Sequence, residues 1–469
     1  MRSQASVWRI LILALLIGGA PAPAGYAEAI IPFSQAAQAK SYLIVAPQRF
    51  HGALDFYVSH KQSRIPTRLV SLEDVLRTTA GVDEPERLKR YLYEAWRAQN
   101  VGYVLLVGDV DVLPVRYIVL DRKAPANFNY AFYPSDLYYS DLARPDGSFD
   151  DWNARKDDFH AAYFGEVRGE TNKTDGINFD QVDYRPDIAL GRWPVSTTFA
   201  VRLLVAKTLR YENDLLRRQK PGARRAAFFA MGGWVDSRPV MDAAADVLNA
   251  AWTVEKRYYT DERRNDGTPA PNAIQMKRLL NQGVGLVCHM GHGASLSWDG
   301  CLSRADLTQI NNADRLPILM SVSCSTARFV SFAPYEGYVD VNGQAHVGTN
   351  NGEVFTQPPP PPAPYQTGRY NTSGIGEHLL CSSPHGAVAY IGCYAGSQPC
   401  GLTLLDGFVR AVGTAPEAGQ VTRLGDCWSQ AVRHYYEKER LAILVPTKSW
   451  YPPTVFFQAM KFTFFGDPT

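Results

Sequence analysis

Short apolar runs alternate with amphipathic segments in the first half of the chain. Buried strands are predicted over 41–47 (SYLIVAP), over 67–72 (TRLVSL) and from 101 to Gly108 and Asp109 (VGYVLLVGD), where apolar residues cluster. Helices are predicted over 50–62 and 83–100, because their apolar residues recur at helical spacing. Strands that alternate with helices in this way indicate a parallel sheet covered by helices.

The second half repeats this alternation after a helix over 199–218 and a linker, QKPGARR. Two further helices are predicted over 238–251 and 271–282. Further strands are predicted at AAFFAMGG (226–233), VGLVCHM (284–290), LPILMSVSC (316–324) and GAVAYIGC (386–393). The whole pattern predicts an α/β fold with mostly parallel sheets.

Two segments interrupt the alternation. Residues 135–187 are rich in Asp, Asn and Gly, and they predict a long polar loop region. A second segment, at about 330–373, carries QPPPPPAP. Five consecutive prolines exclude helix and sheet and favour an exposed polyproline II spacer. We therefore predict that this second segment is an inserted surface loop.

The chain has 469 residues, which is too long for one ordinary core. Residues 1–29 have the features of a signal peptide, with Arg2 and Arg9, the short apolar run ILILALLIGGA and small residues that suit signal peptidase. The remainder is predicted to form subdomains over 30–220 and 221–469. We expect an exported protein, secreted, periplasmic or cell-surface, with no membrane span after signal removal.

The composition is that of a globular protein, and it limits the partners. The net charge is only +2, so there is no electrostatic footprint for nucleic acid. All seven cysteines lie between 288 and 427. In an oxidising compartment six cysteines can pair and leave one thiol free, although the sequence leaves the connectivity open. Cys393 and Cys400 are close enough in sequence to be bridged.

The stretch GVGLVCHMGHGASLSWDG, residues 283–300, brings Cys288, His289 and His292 together. The C-H-x-x-H order is not a usual zinc spacing, and no fourth ligand is evident. Residues 288 and 289 also point to opposite faces of a strand, so they cannot chelate one ion together. The sequence therefore disfavours a metal site, and a core histidine at a strand end is one alternative.

The next predicted strand ends at Cys324. Parallel strands place their carboxyl ends at one edge of a sheet, where α/β proteins bind ligands, so Cys324 and His292 can share a cleft. His292 can then act as acid and base while the thiolate of Cys324 attacks a substrate. The backbone N–H of Gly293 can approach a substrate carbonyl and, with the N–H of Cys324, form an oxyanion hole.

These segments resemble the gingipain family of clan CD cysteine peptidases, which are caspase-like enzymes. The resemblance rests on GVGLVCHMGHGASLSWDG and NNADRLPILMSVSCSTARF, and it covers about 40–469 through YVLLVGDVDVLP, SDLYYSDL, PDIALGRWPVSTTFAV, GAVAYIGC and FTFFGDPT. It implies a caspase-like three-layer sandwich with two side-by-side subdomains. It also implies that His292 is the catalytic histidine, Cys324 the nucleophile and Gly293 the glycine whose amide helps to hold the oxyanion.

The resemblance implies a secreted cysteine endopeptidase that acts on protein or peptide substrates through a thioester acyl-enzyme. One alternative is a sortase-like transpeptidase that processes exported proteins, and another is a non-catalytic caspase-like binding module. The best-known family members cut after Arg or Lys, which requires a buried carboxylate in the pocket. Asp136 and Asp187 lie in family-like motifs, yet both also suit a role in capping loops and turns.

An Asp-rich loop over 141–158 contains Asp141, Asp146 and Asp150. Oxygen ligands at this density suit calcium, and members of the family are similar in using structural calcium. The spacing does not match an EF-hand loop, and a solvated acidic turn is the alternative. No cofactor is expected for the chemistry itself. Because the segment at 330–373 closely follows Cys324, it is also a candidate for covering the cleft, with a plain surface insertion as the alternative.

Overall fold

The structure is a computed structural model that describes most of the chain. The described residues are 40–119, 132–154, 163–164, 176–178, 180–216, 222–248, 252–265, 267, 270–356, 359–414, 421–447, 449 and 451–469. All of them belong to one compact unit, Ala39–Thr469. The predicted signal peptide, 1–29, and much of the predicted linker lie outside the described residues.

Ten strands form the main sheet. In chain order they are β1 Ser41–Ala46, β2 Thr67–Ser71, β3 Val101–Val107, β4 Ala189–Trp193, β5 Arg225–Ala230, β6 Thr253–Tyr258, β7 Leu286–Met290, β8 Ile318–Val322, β9 Ala389–Cys393 and β10 Phe462–Phe465. Their order across the sheet is β2-β1-β3-β4-β10-β9-β8-β7-β5-β6. Every residue of β3, β7 and β8 is buried, as expected for strands covered on both faces. The predicted α/β fold is thus confirmed.

The two halves of this sheet run in opposite directions. Strands β1 to β4 are parallel to one another, and β10 is parallel to β4. Strands β5 to β9 are also parallel to one another, but β9 is antiparallel to β10. The carboxyl ends of β5, β7, β8 and β9 therefore lie at one edge of the sheet, and those of β1, β3 and β4 lie at the other.

The helices begin and end where local sequence signals mark them. They are α1 His51–Gln62, α2 Leu72–Thr78, α3 Glu84–Gln99, α4 Leu137–Ser140, α5 Thr198–Leu216, α6 Arg238–Val247, α7 Ala273–Gln282, α8 Ile375–Cys381, α9 Gly401–Gly413, α10 Leu424–Lys438 and α11 Tyr451–Phe457. Helix α7 begins after Asn272, whose side chain accepts from the N–H of Gln275 at 2.9 Å. It ends at Gly283, whose φ is 95°. Among the described residues, no helix has the length and apolar character needed to cross a membrane.

Short strands outside the main sheet pair mostly in antiparallel fashion. They are Tyr117–Val119, Phe132–Pro134, Tyr163–Phe164, Gly293–Ala294, Ser297–Trp298, Leu302–Ser303, Tyr338–Val339 and Ala345–His346. The trio from Gly293 to Ser303 forms a small three-stranded sheet directly after β7. This small sheet fixes the loop that carries His292.

The segment at 330–373 is packed, which differs from the predicted exposed spacer. Pro361 and Pro362 are buried. The N–H of Val115 donates to the carbonyl of Pro364 at 3.1 Å, so the segment is bonded to the N-terminal half. Prolines lack an N–H but keep an apolar ring and an accepting carbonyl, and both are used here. Pro359 to Pro362, the prolines of this run that the structure describes, lie outside helices and main-sheet strands as predicted, and the burial of Pro361 and Pro362 differs from the predicted exposure.

Candidate active site

The candidate site lies at the carboxyl ends of β5, β7 and β8, which are neighbours in the sheet. Met290, the last residue of β7, pairs with Val322 at the end of β8 and with Ala230 at the end of β5. The loops that follow these strands therefore start at one level. They carry Gly233 and Trp234, His292 and Gly293, and Cys324 respectively. The fold thus brings His292 and Cys324 to the same edge, as predicted.

Main-chain hydrogen bonds hold the starts of these loops together. The N–H of Met231 donates to the carbonyl of Met290 at 2.8 Å, and the N–H of Gly291 donates to that of Val322 at 3.3 Å. A Cβ atom on Gly291 would lie only 2.6 Å from the Cβ of Met231. Glycine is therefore required where the loop leaves β7, and the entry angle toward His292 is fixed.

Cys324 is presented on a turn directly after β8. Its side chain is half-buried, and its Sγ lies 3.9 Å from the carbonyl oxygen of Ser397. The following residue, Ser325, has a φ of 62°, which is uncommon for a residue other than glycine. Backbone strain of this kind concentrates at functional sites because the surrounding structure must enforce it. The turn keeps the thiol at the edge of the sheet and in reach of solvent.

His292 has an exposed ring with a defined hydrogen bond. Its Nε2 lies 3.2 Å from the carbonyl oxygen of Gly233. A carbonyl oxygen only accepts, so this contact assigns the proton to Nε2 and leaves Nδ1 available as a base. The indole of Trp234 stacks on the same ring, with centroids 5.8 Å apart and an interplanar angle of 24°. Gly233 is not predicted from the sequence, because a backbone carbonyl leaves no side-chain signal.

Two features of Gly293 matter for the site: it lacks a side chain, and its N–H points away from the partner strand. A Cβ atom at this position would lie 2.1 Å from the Oγ of Ser323, so the loop after β7 rests directly on the residue before Cys324. The N–H of Asp299 donates to the carbonyl of His292 at 3.1 Å, which makes Gly293 and Trp298 a non-hydrogen-bonded antiparallel pair. In such a pair the N–H groups point away from the partner strand, so the amide of Gly293 is free to donate elsewhere.

His289 and Cys288 are core residues. The ring of His289 stacks on Trp298 at 4.5 Å, and its Nδ1 lies 2.9 Å from the Oγ of Ser321. Burial lowers the pKa of His289 to about 3, so this imidazole is neutral at neutral pH. Burial also raises the pKa of the Cys288 thiol. Within the described ranges, no three His, Cys, Asp or Glu side chains come together as a metal ion would require.

The seven cysteines are all free thiols. The expected pairing of six cysteines is therefore not seen. Cys393 ends strand β9 and Cys400 immediately precedes helix α9, and both are buried without a bridge. Buried thiols behave as small apolar side chains and need no partner. Cys324 and Cys381 are the half-buried thiols in this set.

Asp136 and Asp187 are both used inside the protein. The buried guanidinium of Arg192 holds Asp136 at two points, with Nε to Oδ2 at 2.7 Å and a terminal nitrogen to Oδ1 at 2.6 Å. Asp187 accepts from the N–H groups of Leu142 and Ala143 at 2.7 and 2.9 Å. The capping interpretation therefore describes Asp187, whereas Asp136 makes no side-chain cap and is paired with Arg192.

A buried cation, the ammonium of Lys89 on helix α3, lies near the Asp-rich loop. Asp141 and Asp150 are fully buried, whereas Asp146 is exposed. The buried ammonium of Lys89 lies 4.2 Å from the centroid of the Tyr138 ring. Burial lowers the pKa of Lys89 to about 8, against the opposing charges of Asp150 and Asp141. The set of Asp141, Asp146 and Asp150 therefore does not fit a calcium site, because Asp146 is apart and Lys89 supplies the positive charge.

A second acidic pair, Asp109 and Glu377, was not anticipated. Both side chains are buried, at 3% and 8% exposure. The Oε2 atom of Glu377 has no hydrogen-bond partner among the described residues. Burial, and then the charge of Asp109, raise the pKa of Glu377 well above its usual range. An unsatisfied buried carboxylate beside a second one is a feature that an oxygen-preferring cation would relieve, and Asp141 in the Asp-rich loop shares it, because its Oδ1 also lacks a partner among the described residues.

The sequence and the fold were compared with those of known proteins. The profile of peptidase family C25 matches residues 35–469. The chain is similar to the crystal structure of the Arg specific cysteine proteinase gingipain R, with a TM-score of 0.57, 15% identity, and coverage of 92% of this chain and 77% of that one. It is similar to the complex of Porphyromonas gingivalis RgpB pro- and mature domains, with a TM-score of 0.57, 15% identity, and coverage of 91% and 78%.

A third solved structure, described as a protease, is similar at 16% identity and a TM-score of 0.53. It covers 92% of this chain, and this chain covers 77% of it. A search of curated proteins found no match. The structural likeness confirms the caspase-like fold that the sequence resemblance implied.

Proposed function

Because the chain belongs to peptidase family C25 and is a cysteine-type endopeptidase, we propose that Cys324 is its nucleophile and His292 its general acid and base. The observation that carries this proposal is the shared level at which the loops after β7 and β8 begin. These loops leave His292 exposed and Cys324 half-buried at one edge of the sheet. The non-catalytic alternative is set aside, since the chain is a peptidase that keeps both residues.

The reaction proceeds in two stages. The thiolate of Cys324 attacks the scissile carbonyl carbon, and the carbonyl electron pair moves to oxygen. As the C–N bond breaks, protonated His292 gives its proton to the leaving amine, and a thioester remains on Cys324. His292 then removes a proton from water, whose oxygen attacks the thioester and breaks the C–S bond. The carboxyl product leaves and the thiolate is restored.

The backbone amides of Gly293 and Cys324 suit the oxyanion that forms in both stages. Gly293 offers an N–H that its antiparallel pairing leaves free. Preorganised donors aimed at developing negative charge are commonly the largest electrostatic contribution to such reactions. The carbonyl of Gly233 contributes in a different way, because its contact with Nε2 fixes which nitrogen of His292 carries the proton.

The direct test is cleavage of a fluorogenic peptide library that varies the residue before the scissile bond. Wild-type chain, Cys324→Ala and His292→Ala are assayed with reductant. We expect turnover only in the wild type, and wild-type levels of cleavage by Cys324→Ala would overturn the assignment. An added amine acceptor distinguishes hydrolysis from sortase-like transfer, because transfer increases the product mass by that of the amine minus water.

A preference for Arg or Lys before the cut is a finer proposal. Its support is the similarity to gingipain R, a protease described as Arg specific. Asp136 and Asp187 are not its recognition residues, because both are consumed by internal bonds. The same library checks the preference. Equal cleavage after Arg, Lys and apolar residues would contradict it.

Export is likewise a proposal that rests on residues 1–29. Their charged start, apolar run and small residues are typical of a signal peptide. Expression of the full chain in a bacterium, followed by N-terminal sequencing of the exported product, tests it. We expect a new terminus after Ala24, Ala27 or Ala29, and retention of the intact chain in the cytoplasm would contradict export.

We further propose that a structural calcium ion is held by Asp109 and Glu377 and not by the Asp-rich loop. The support is the buried Oε2 of Glu377, which lacks a hydrogen-bond partner among the described residues and lies near the charge of Asp109, whereas Asp141 in the loop has the opposite charge of Lys89 nearby. Isothermal titration of calcium into wild type and Glu377→Gln tests this. Saturable binding lost in Glu377→Gln supports the proposal, and binding lost in Asp146→Asn instead would refute it.

A further inference from the structure

Trp234 covers one face of the catalytic imidazole. It follows Gly233 directly, and its indole stacks on His292 with centroids 5.8 Å apart and planes 24° apart. The Nε2 of the same ring lies 3.2 Å from the Gly233 carbonyl. One dipeptide therefore holds His292 twice, at its edge through the main chain and on its face through an aromatic ring.

The loop that carries Trp234 is braced from behind. Arg238 donates from Nε to Asp236 at 2.8 Å and from a terminal nitrogen to Asp261 at 3.0 Å. Its guanidinium lies over the ring of Tyr259, 4.2 Å from the centroid. A Cβ atom on Gly232 would lie 2.9 Å from that same ring. The backbone on both sides of Trp234 is thus fixed against a second strand end, and the indole has a defined place.

An exposed histidine without such contacts samples several rotamers. Removing this side-chain freedom costs entropy, and the reaction needs one orientation of the ring. The face of an indole also attracts a nearby cation. Stacking on Trp234 therefore favours both the required ring orientation and the imidazolium that donates its proton to the leaving amine.

We propose that Trp234 is a positioning residue for the peptidase reaction, one that rests on the proposed role of His292. It acts through the imidazole and not through the substrate. Its loss should therefore lower kcat and leave KM nearly unchanged, because binding of the substrate does not depend on the orientation of His292. Replacement of Trp234 by another aromatic residue should retain most of the wild-type kcat, and replacement by an aliphatic residue of similar bulk should not.

The test compares Trp234→Phe, Trp234→Leu and the remote control Trp96→Leu, a half-buried tryptophan on α3. For Trp234→Leu we expect kcat to fall roughly five- to tenfold with KM within about twofold. Trp234→Phe should keep at least about half of the wild-type kcat, and Trp96→Leu should match wild type. Trp234→Met replaces Trp234→Leu should the latter fail to fold by circular dichroism.

Three outcomes overturn the proposal. They are an unchanged kcat in Trp234→Leu, an equal fall in Trp234→Phe, and a loss confined to KM, which would make the indole a wall of the substrate pocket. The rate of Cys324 alkylation by iodoacetamide gives a readout without substrate, and it should slow in Trp234→Leu. Failure of the proposed function is distinguishable, because it would appear as activity that survives Cys324→Ala.

Discussion

The two halves of the sheet are built alike, yet they treat polar side chains differently. In the N-terminal half, Arg192 on β4 is fully buried and holds Asp136 at two points. In the C-terminal half, the loops after β7 and β8 leave His292 exposed and Cys324 half-buried. Among the described residues, the second half thus presents the proposed nucleophile and its proposed acid–base partner toward solvent, while the Arg192–Asp136 pair of the first half is enclosed.

This difference follows from the cost of burying charge. A buried ion is costly without a partner, and Arg192 in the N-terminal half is accordingly held by Asp136. In the C-terminal half burial lowers the pKa of His289 and keeps this imidazole neutral, whereas His292 is exposed to solvent. The candidate site thus lies where polar side chains remain available to a substrate. We therefore expect mutations in the two halves to have different effects.

The largest expected effect is on activity in the C-terminal half. His292→Ala should lower kcat by at least about a thousandfold, because a nucleophile loses its acid and base partner. The free energy of unfolding should change by no more than about 0.5 kcal/mol, since the ring is exposed. Peptide cleavage and urea unfolding of the same samples measure both. A large loss of stability with activity retained would reverse the comparison.

The N-terminal half should respond in the opposite way. Arg192→Met leaves Asp136 buried and unpaired, which should lower the free energy of unfolding by about 3–5 kcal/mol. The matched control is Arg77→Met, which breaks an exposed pair with Asp74 and should cost less than about 1 kcal/mol. Urea unfolding measures both variants. Equal stability of the two would show that the buried pair is not a structural anchor.

A smaller effect on both activity and stability is expected at Gly293. In Gly293→Ala the new methyl group meets the Oγ of Ser323, and the free energy of unfolding should fall by about 1–3 kcal/mol. Displacement of the amide should also lower kcat by on the order of a hundredfold. Adding Ser323→Gly removes the opposing atom, so the double variant should recover stability. A double variant no more stable than the single one would exclude this clash as the cause.

The smallest effect concerns the buried end of the chain, where Asp467 bonds to Lys61 at 2.7 Å. Burial alone would raise the pKa of Asp467, but the charge and hydrogen bond of Lys61 outweigh burial and lower it. A lowered folded pKa contributes stability above the unfolded value of about 3.9 and loses it as pH falls further. Wild type should therefore exceed Asp467→Asn in stability at pH 7 by about 1–3 kcal/mol, and the gap should shrink below about pH 4. Urea unfolding of both proteins at each pH measures this difference in stability, and a difference that does not change with pH would contradict the prediction.

Much of the fold follows from apolar periodicity, and the failures have physical reasons. The runs that become β1, β3, β7 and β8 are continuous and apolar, so they were predicted. Strand β4 (ALGRW) is not predicted, because it contains Arg192, whose charge is tolerated inside the sheet through its pair with Asp136. Strand β6 (TVEKRY) was missed because it lies at the sheet edge and carries charged residues.

The candidate site shows the same limit. His292, Cys324 and Gly293 were found because two apolar runs end in them. The carbonyl of Gly233 had no signal, since any residue has a carbonyl and only the fold places this one at the Nε2 of His292. Glu377 and Lys89 were missed because their importance lies in burial near other charges, which periodicity does not report.

One thiol among seven, Cys324, is the proposed nucleophile, and His292 is its proposed acid–base partner. Labelling of the wild-type chain with an electrophilic peptide probe at neutral pH, followed by mass spectrometry, tests both roles. We expect a single adduct on Cys324, strongly reduced in His292→Ala, with the other six thiols unlabelled. An adduct on another cysteine, or equal labelling of Cys324 in His292→Ala, would rule out this assignment.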